Sequence, residues 1–193
     1  MRVRYGYPSD GLNAILILVI INFVVFLATL IRPELIYILG FQPAAFLSRP
    51  WTVVTAMFVH GGFWHIFANM LTLYFFGSYF SRLVGRGRFL LVYFAGGIVG
   101  NLLFWALAYP FAVAVGASGA VFAIAGGLVV MRPKLPVIIF PIPIPVPLWV
   151  AIIGGFLLLS FMPSVAWQAH LGGLIVGLIG GFIFRRRERY FVF

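Results

Sequence analysis

Few side chains in this sequence can do chemistry, and their positions are informative. Cysteine is absent, and the carboxylates are Asp10, Glu34 and Glu188. Thiolate nucleophiles, Cys-ligated metals and disulfides are therefore excluded. The histidines are His60, His65 and His170, and Ser118 sits in the tight segment Gly116-Ala117-Ser118-Gly119. Asn69 follows His65 by four residues, which puts both on one face of a helix. A serine on a turn before an apolar helix exposes its hydroxyl and has backbone N–H groups beside it for a developing oxyanion. With a histidine as base, that is an activated nucleophile. No carboxylate is placed to complete a Ser-His-Asp triad. A Ser118–His170 dyad is what the inventory permits, with the histidine oriented by packing. Three histidines without an HExxH pattern or a neighbouring acid do not suggest a metal site, and no cofactor is expected.

Each of these residues also has a plain structural role open to it. Ser118 could cap a helix, Asn69 could bridge helices, and His60 could tie a loop to the helix after it. Asn22 and Asn101 read as packing hydrogen bonds. The aromatic run Tyr74, Phe75, Phe76, Tyr79 and Phe80 reads as lipid-facing or interfacial.

The elements that must position these groups are membrane spans. The chain is 193 residues long, 64% hydrophobic and 8% charged, with a mean hydropathy of +1.15. A soluble domain carries roughly 25% charged residues, so this composition excludes a soluble enzyme and a disordered chain. Apolar runs suited to spanning cover approximately residues 11–31, 63–80, 89–108, 118–131, 148–161 and 167–184. The first is longer than a signal-peptide core and lacks a small-x-small cleavage site, so it reads as a span. With both termini cytoplasmic, eleven of the thirteen basic residues fall inside, leaving Arg32 and Arg49 outside. The net charge of +10 thus orients the protein in a membrane rather than recruiting nucleic acid. The expectation is a single all-α membrane domain, 1–193, with six transmembrane helices and a long, partly embedded first loop over residues 32–62. It would be a multi-pass protein of the cell membrane, with lipids as partners and no signal for an oligomeric state. Alternating prolines in 133–147 cannot continue a helix, and that segment is more apolar than a solvated linker.

This topology gives the polar residues a common depth. The second, fourth and sixth spans run from outside to inside, and His65, Asn69, Ser118 and His170 all lie near their outer ends. In the sixth span Gly173, Gly177 and Gly181 make a small-xxx-small ridge, matched in the fourth by Gly119, Ala123 and Gly127. Such ridges let helix backbones approach closely, bringing Ser118 and His170 within hydrogen-bond reach.

His60-x4-His65-x3-Asn69, Gly116-Ala117-Ser118-Gly119 and Ala169-His170-Leu171-Gly172-Gly173, in this order on these spans, resemble the rhomboid intramembrane serine proteases. The resemblance covers nearly the whole chain and looks like a minimal six-helix prokaryotic member. It implies Ser118 as nucleophile and His170 as general base, with His65, Asn69 and the Ser118 N–H as the oxyanion hole. His60, Gly116, Gly119, Phe122 and Trp51 would support them, and a transmembrane protein would be the substrate. Three positions depart from the family pattern: Thr52 follows Trp51 in place of Arg, Phe122 replaces Tyr, and Ser81 stands where a Glu is often found ahead of Gly85. A rhomboid-like binding or chaperone protein without hydrolysis is the alternative, although both reacting residues are kept. A transporter is a more distant one, since no repeated halves are visible.

Overall fold

The structure is a computed structural model that describes residues 9–139, 142–163 and 165–185. The chain opens with the long helix α1, Ser9–Ile31. Its inward stripe is Ile15, Leu18, Asn22, Phe26 and Thr29, at helical spacing, while Ile17, Ile20, Val24, Leu27 and Leu30 are exposed. An outer face this apolar is stable against lipid and not against water.

Residues 32–62 form a knot of short pieces. These are α2 (Leu35–Leu39), a 3₁₀ turn at Pro43–Ala45, α3 (Thr52–Thr55) and a second 3₁₀ turn at Ala56–Phe58. Helix α4 (Phe63–Thr72) runs through a π turn at Leu73–Gly77 into α5 (Ser78–Val84). The second apolar run is therefore one helical rod that reaches Val84, four residues past its expected end. Gly85, with φ 87°, reverses the chain into α6 (Arg86–Leu107). Helices α7 (Ser118–Met131), α8 (Leu148–Ser160) and α9 (Trp167–Phe184) follow. Between α7 and α8 lies an antiparallel hairpin, β1 (Pro136–Ile139) and β2 (Ile142–Pro147).

Among the described residues, three helical segments are long and apolar enough to cross a bilayer by themselves: Gly11–Ile31, Arg86–Leu107 and Trp167–Phe184. Helices α7 and α8, with 14 and 13 residues, are each about 20 Å long at 1.5 Å per residue. They are shorter than the ~30 Å hydrocarbon core. Mostly helical and multi-pass, the molecule matches the expected helical membrane bundle.

Helix α7 is the centre. Ten of its residues, from Gly119 to Met131, are buried, as expected of a helix apolar all round. The two small-residue ridges meet in parallel register. A methyl group at Gly173 would overlap the Gly119 carbonyl, one at Gly177 that of Ala123, and one at Gly181 that of Gly127. Helix α6 closes on the same pair through Gly96, which faces Ala123, and Gly100, which faces the Ala169 carbonyl. Helices α7 and α9 can touch at the backbone only because these positions lack large side chains.

Phe80 departs from the lipid-facing reading of its aromatic run. It is fully buried and lies against Gly127, where a Cβ would collide with its ring. Phe76 and Tyr79 are half-buried against the main core, whereas Tyr74 and Phe75 are exposed. Helical spacing explains the split, since Phe80 lies about one turn after the inward Gly77. Asn101 donates to the Val53 carbonyl at 2.8 Å and so ties α6 to the first loop. Asn22 donates to Leu18 of its own helix.

Candidate active site

Ser118 is the first residue of α7, and the segment ahead of it is fixed on both sides. Phe41 and Ala114 exchange backbone hydrogen bonds of 2.9 and 2.8 Å, and the Gly116 N–H donates to the Ala56 carbonyl at 2.9 Å. A small second core of Phe41, Ala56, Phe104, Ala114 and Ala169 backs these contacts. Gly116 has φ 123°, a left-handed conformation that glycine adopts without steric cost. A Cβ there would stand 2.7 Å from His65 Nε2 and 3.7 Å from Ser118 Oγ. Both atoms thus flank one small volume beside Gly116.

The Ser118 Oγ lies 2.7 Å from His170 Nε2. The helix ridges impose this contact, because Gly119–Gly173 sets the register and His170 lies one turn before Gly173. The imidazole is buried and stacks on Phe122, with ring centroids 4.7 Å apart and planes 27° from parallel. Phe122 in turn meets Phe156 of α8 edge-on at 6.1 Å. His170 Nδ1 is buried without a hydrogen-bond partner among the described residues, so stacking and the Ser118 contact hold the ring. Glu34 is far from this arrangement in kind as well as sequence, exposed and paired with Arg32 at 3.0 Å.

His65 Nδ1 accepts the Gly61 N–H at 3.4 Å. That contact favours the proton on Nε2, the nitrogen facing Gly116, where it can be donated. Asn69 is buried, and its Nδ2 donates to the His65 carbonyl at 2.9 Å. The second amide hydrogen is left for another acceptor.

His60 plays a larger part than tying the first loop to the next helix. Its Nε2 accepts the Ala117 N–H at 3.4 Å, one residue before Ser118, and its ring meets His65 edge-on at 4.9 Å. The pKa of this loop histidine is lowered to about 3, by burial first and then by the neighbouring His65, with a backbone hydrogen bond at Phe58 opposing. It is a neutral acceptor at every physiological pH. Gly119 packs against the Ala169 carbonyl. Trp51 is not part of the cluster: it precedes α3 and is largely exposed. The Gly61 N–H and the Ala56 carbonyl carry no signal in the sequence, being backbone groups of ordinary loop residues.

The arrangement is thus a serine hydroxyl on a histidine, next to a second histidine that can donate, at one end of an apolar helix bundle. A rhomboid-domain family model matches residues 47–187. The chain belongs to the rhomboid family. The match contains every residue of the cluster, from His60 to His170, and leaves out all of α1.

Curated rhomboid relatives include the yeast (Saccharomyces cerevisiae) mitochondrial Rhomboid protein 1, 30% identical over 151 residues, covering 67% of this chain and 40% of that protein. The Bacillus subtilis rhomboid protein YdcA is 31% identical over 150 residues, covering 72% of this chain and 70% of YdcA. Rhomboid protease GluP of the same organism is 40% identical over 79 residues, covering 40% of this chain and 15% of GluP. The chain therefore spans well under half the length of the yeast relative and most of the length of YdcA.

Proposed function

We propose that this rhomboid is an intramembrane serine endopeptidase that cuts transmembrane helices of membrane proteins near the outer membrane surface. The reading rests on one observation above all, the 2.7 Å contact between Ser118 Oγ and His170 Nε2 inside a bundle with an apolar exterior.

In this mechanism a substrate helix approaches from the lipid, past α8, and its outer end unwinds to expose a peptide bond. Ser118 Oγ attacks the carbonyl carbon as His170 Nε2 takes the hydroxyl proton. The oxyanion is held by His65 Nε2–H, the free Asn69 amide hydrogen and the Ser118 backbone N–H. These donors act in a poorly solvated setting where they are worth more than in water. The protonated His170 gives its proton to the leaving amine, which frees the first product. Water then enters from the outside, loses a proton to His170 and attacks the acyl ester; His170 returns that proton to Ser118 Oγ as the ester bond breaks and the second product leaves. Shallow placement of the dyad lets that water in without opening the bilayer.

The proposed topology has six spans, with both termini in the cytoplasm of a cell whose plasma membrane holds the protein. The short helices α7 and α8 fit it: the site at the start of α7 lies below the outer surface, so neither helix needs the full hydrocarbon depth. The first loop is the buttress of this site, stitched to the segment ahead of Ser118 and presenting Leu47 and Trp51 outward. The whole chain is taken as one rhomboid domain.

The test is cleavage of a fluorogenic transmembrane substrate by purified protein in liposomes, beside Ser118→Ala and His170→Ala. Cleavage by the parent should fall by at least about a thousandfold in either variant, as for loss of a nucleophile or its base. Folded parent protein that cleaves none of a panel of transmembrane substrates would favour the non-hydrolytic binding role. Cleavage that survives Ser118→Ala would refute the assignment of the nucleophile.

A further inference from the structure

The segment between α7 and α8 is the strangest stretch of the chain. From Pro136 to Pro147 there is no polar side chain, and prolines stand at 136, 141, 143, 145 and 147. Its described residues pair as antiparallel strands, with Pro136 opposite Pro147, Val137 opposite Val146 and Ile139 opposite Ile142. Two steps along β1 therefore match four along β2, a bulge that keeps the parity of the pairing. In an antiparallel pair, alternate residues of a strand turn their backbone groups toward the partner. Val146 and Ile142 face β1, which leaves positions 143, 145 and 147 for the outer edge of β2. All three are proline. The outer edge of β2 has no N–H donor at these positions and cannot template another strand.

Burial along the two strands is uneven. Leu135 and Val137 pack against the main core, and the base is sewn shut by Leu148 N–H to the Leu135 carbonyl at 2.8 Å and Trp149 N–H to the Pro133 carbonyl at 3.2 Å. Ile138 and Ile144, on opposite faces by the same parity, are 70% and 66% exposed. An isoleucine pair this exposed would be a liability in water.

Its position names what covers it. The parallel register of α7 and α9 puts the start of the hairpin level with Arg185, and the Arg88 guanidinium lies over the Phe184 ring at 5.4 Å. Lys134 therefore stands at the same end of the bundle as Arg82, Arg86, Arg88 and Arg185. Cations at the phosphate level with apolar side chains below them are the charge and polarity profile of a phospholipid leaflet. Backbone groups without partners are excluded from hydrocarbon, and removing N–H groups from an edge is the simplest way to meet that demand.

We propose that the paired strands Pro136–Ile139 and Ile142–Pro147 are an interfacial membrane anchor, seated in the leaflet at the arginine-rich end. Ile138 and Ile144 reach the acyl chains, Lys134 meets phosphates, and the remaining carbonyls of the β2 edge face the headgroups. The anchor fixes the point from which α8 departs, whatever reaction the site performs.

Because the chain has no cysteine, a single label can be placed cleanly. Ile144→Cys and, separately, Ile138→Cys would carry an environment-sensitive fluorophore in the full chain, reconstituted in phosphatidylcholine–phosphatidylglycerol vesicles. Lys134→Cys is the reference. The expected result is strong quenching of both isoleucine-site labels by a shallow acyl-chain nitroxide lipid, with severalfold weaker quenching by iodide than at position 134. Equal iodide quenching at all three positions would overturn the proposal and place the hairpin in water. Protection from iodide that vanishes as the protein is diluted in lipid would overturn it in favour of a second copy of the chain.

Discussion

His60 sits on Ala117 and His65 at once, holding the backbone just ahead of the serine with one nitrogen and bracing the ring that faces Gly116. Both tasks need the neutral imidazole. Burial lowers its pKa from 6.5 to about 3, so the unfolded chain takes up a proton there over a range in which the folded chain does not. The resulting stability is present above pH 6.5 and is lost as pH falls toward 3. His60→Asn, followed by thermal unfolding in detergent across that range, should give a shallower loss on acidification than the parent. The difference between the two curves isolates this histidine from the other two. An unchanged pH slope would mean that His60 is charged or solvated in the folded protein. Phe122 makes a related point, since its ring stacks on His170 without the hydroxyl that relatives with Tyr have. Orientation of the imidazole here depends on that stacking and on the Ser118 contact, with no hydroxyl from residue 122.

Among elements, the contact of α7 with α9 governs the rest. Spacing of four between small residues was enough to pair the two helices from sequence, because only backbone–backbone approach accommodates such a ridge. Gly177→Ala would drive a methyl into the Ala123 carbonyl, with overpacking typically worth about 1–3 kcal/mol. Gly154→Ala on α8 would meet nothing within 4 Å and should be neutral or stabilising by up to about 1 kcal/mol from helix propensity. Thermal melts of the two variants in the same detergent check this contrast; equal losses would mean that the ridge is not the tight seam described. The hairpin between α7 and α8 was not legible in the same way. Prolines exclude helix at once, but the strand pairing depends on which residues find partners across a turn, and a proline-rich line of sequence does not specify that.

For the whole molecule, the basic residues carry the orientation. Arg82, Arg86, Arg88, Lys134 and Arg185 gather at one end of the bundle, and Arg32 and Arg49 lie beyond α1 at the other. The proposed topology places the first group in the cytoplasm. In a chain without native cysteine, Ser48→Cys in cells should react with a membrane-impermeant maleimide from outside. Lys134→Cys should react only after permeabilisation. The reverse pattern would invert the molecule and move the serine to the cytoplasmic side.

Composition alone made this a membrane protein, because a chain with so few charges has no surface to offer water. Motif order gave the family, and the small-residue period gave the helix pair, since both are local and periodic signals. Tertiary structure decided what depends on meetings across the chain. It placed the His60 ring on the Ala117 amide, turned Phe80 inward against Gly127, left Trp51 outside the cluster and closed the proline-rich segment into a hairpin. Those outcomes rest on backbone amides, packing space and strand partners, none of which a side-chain sequence spells out.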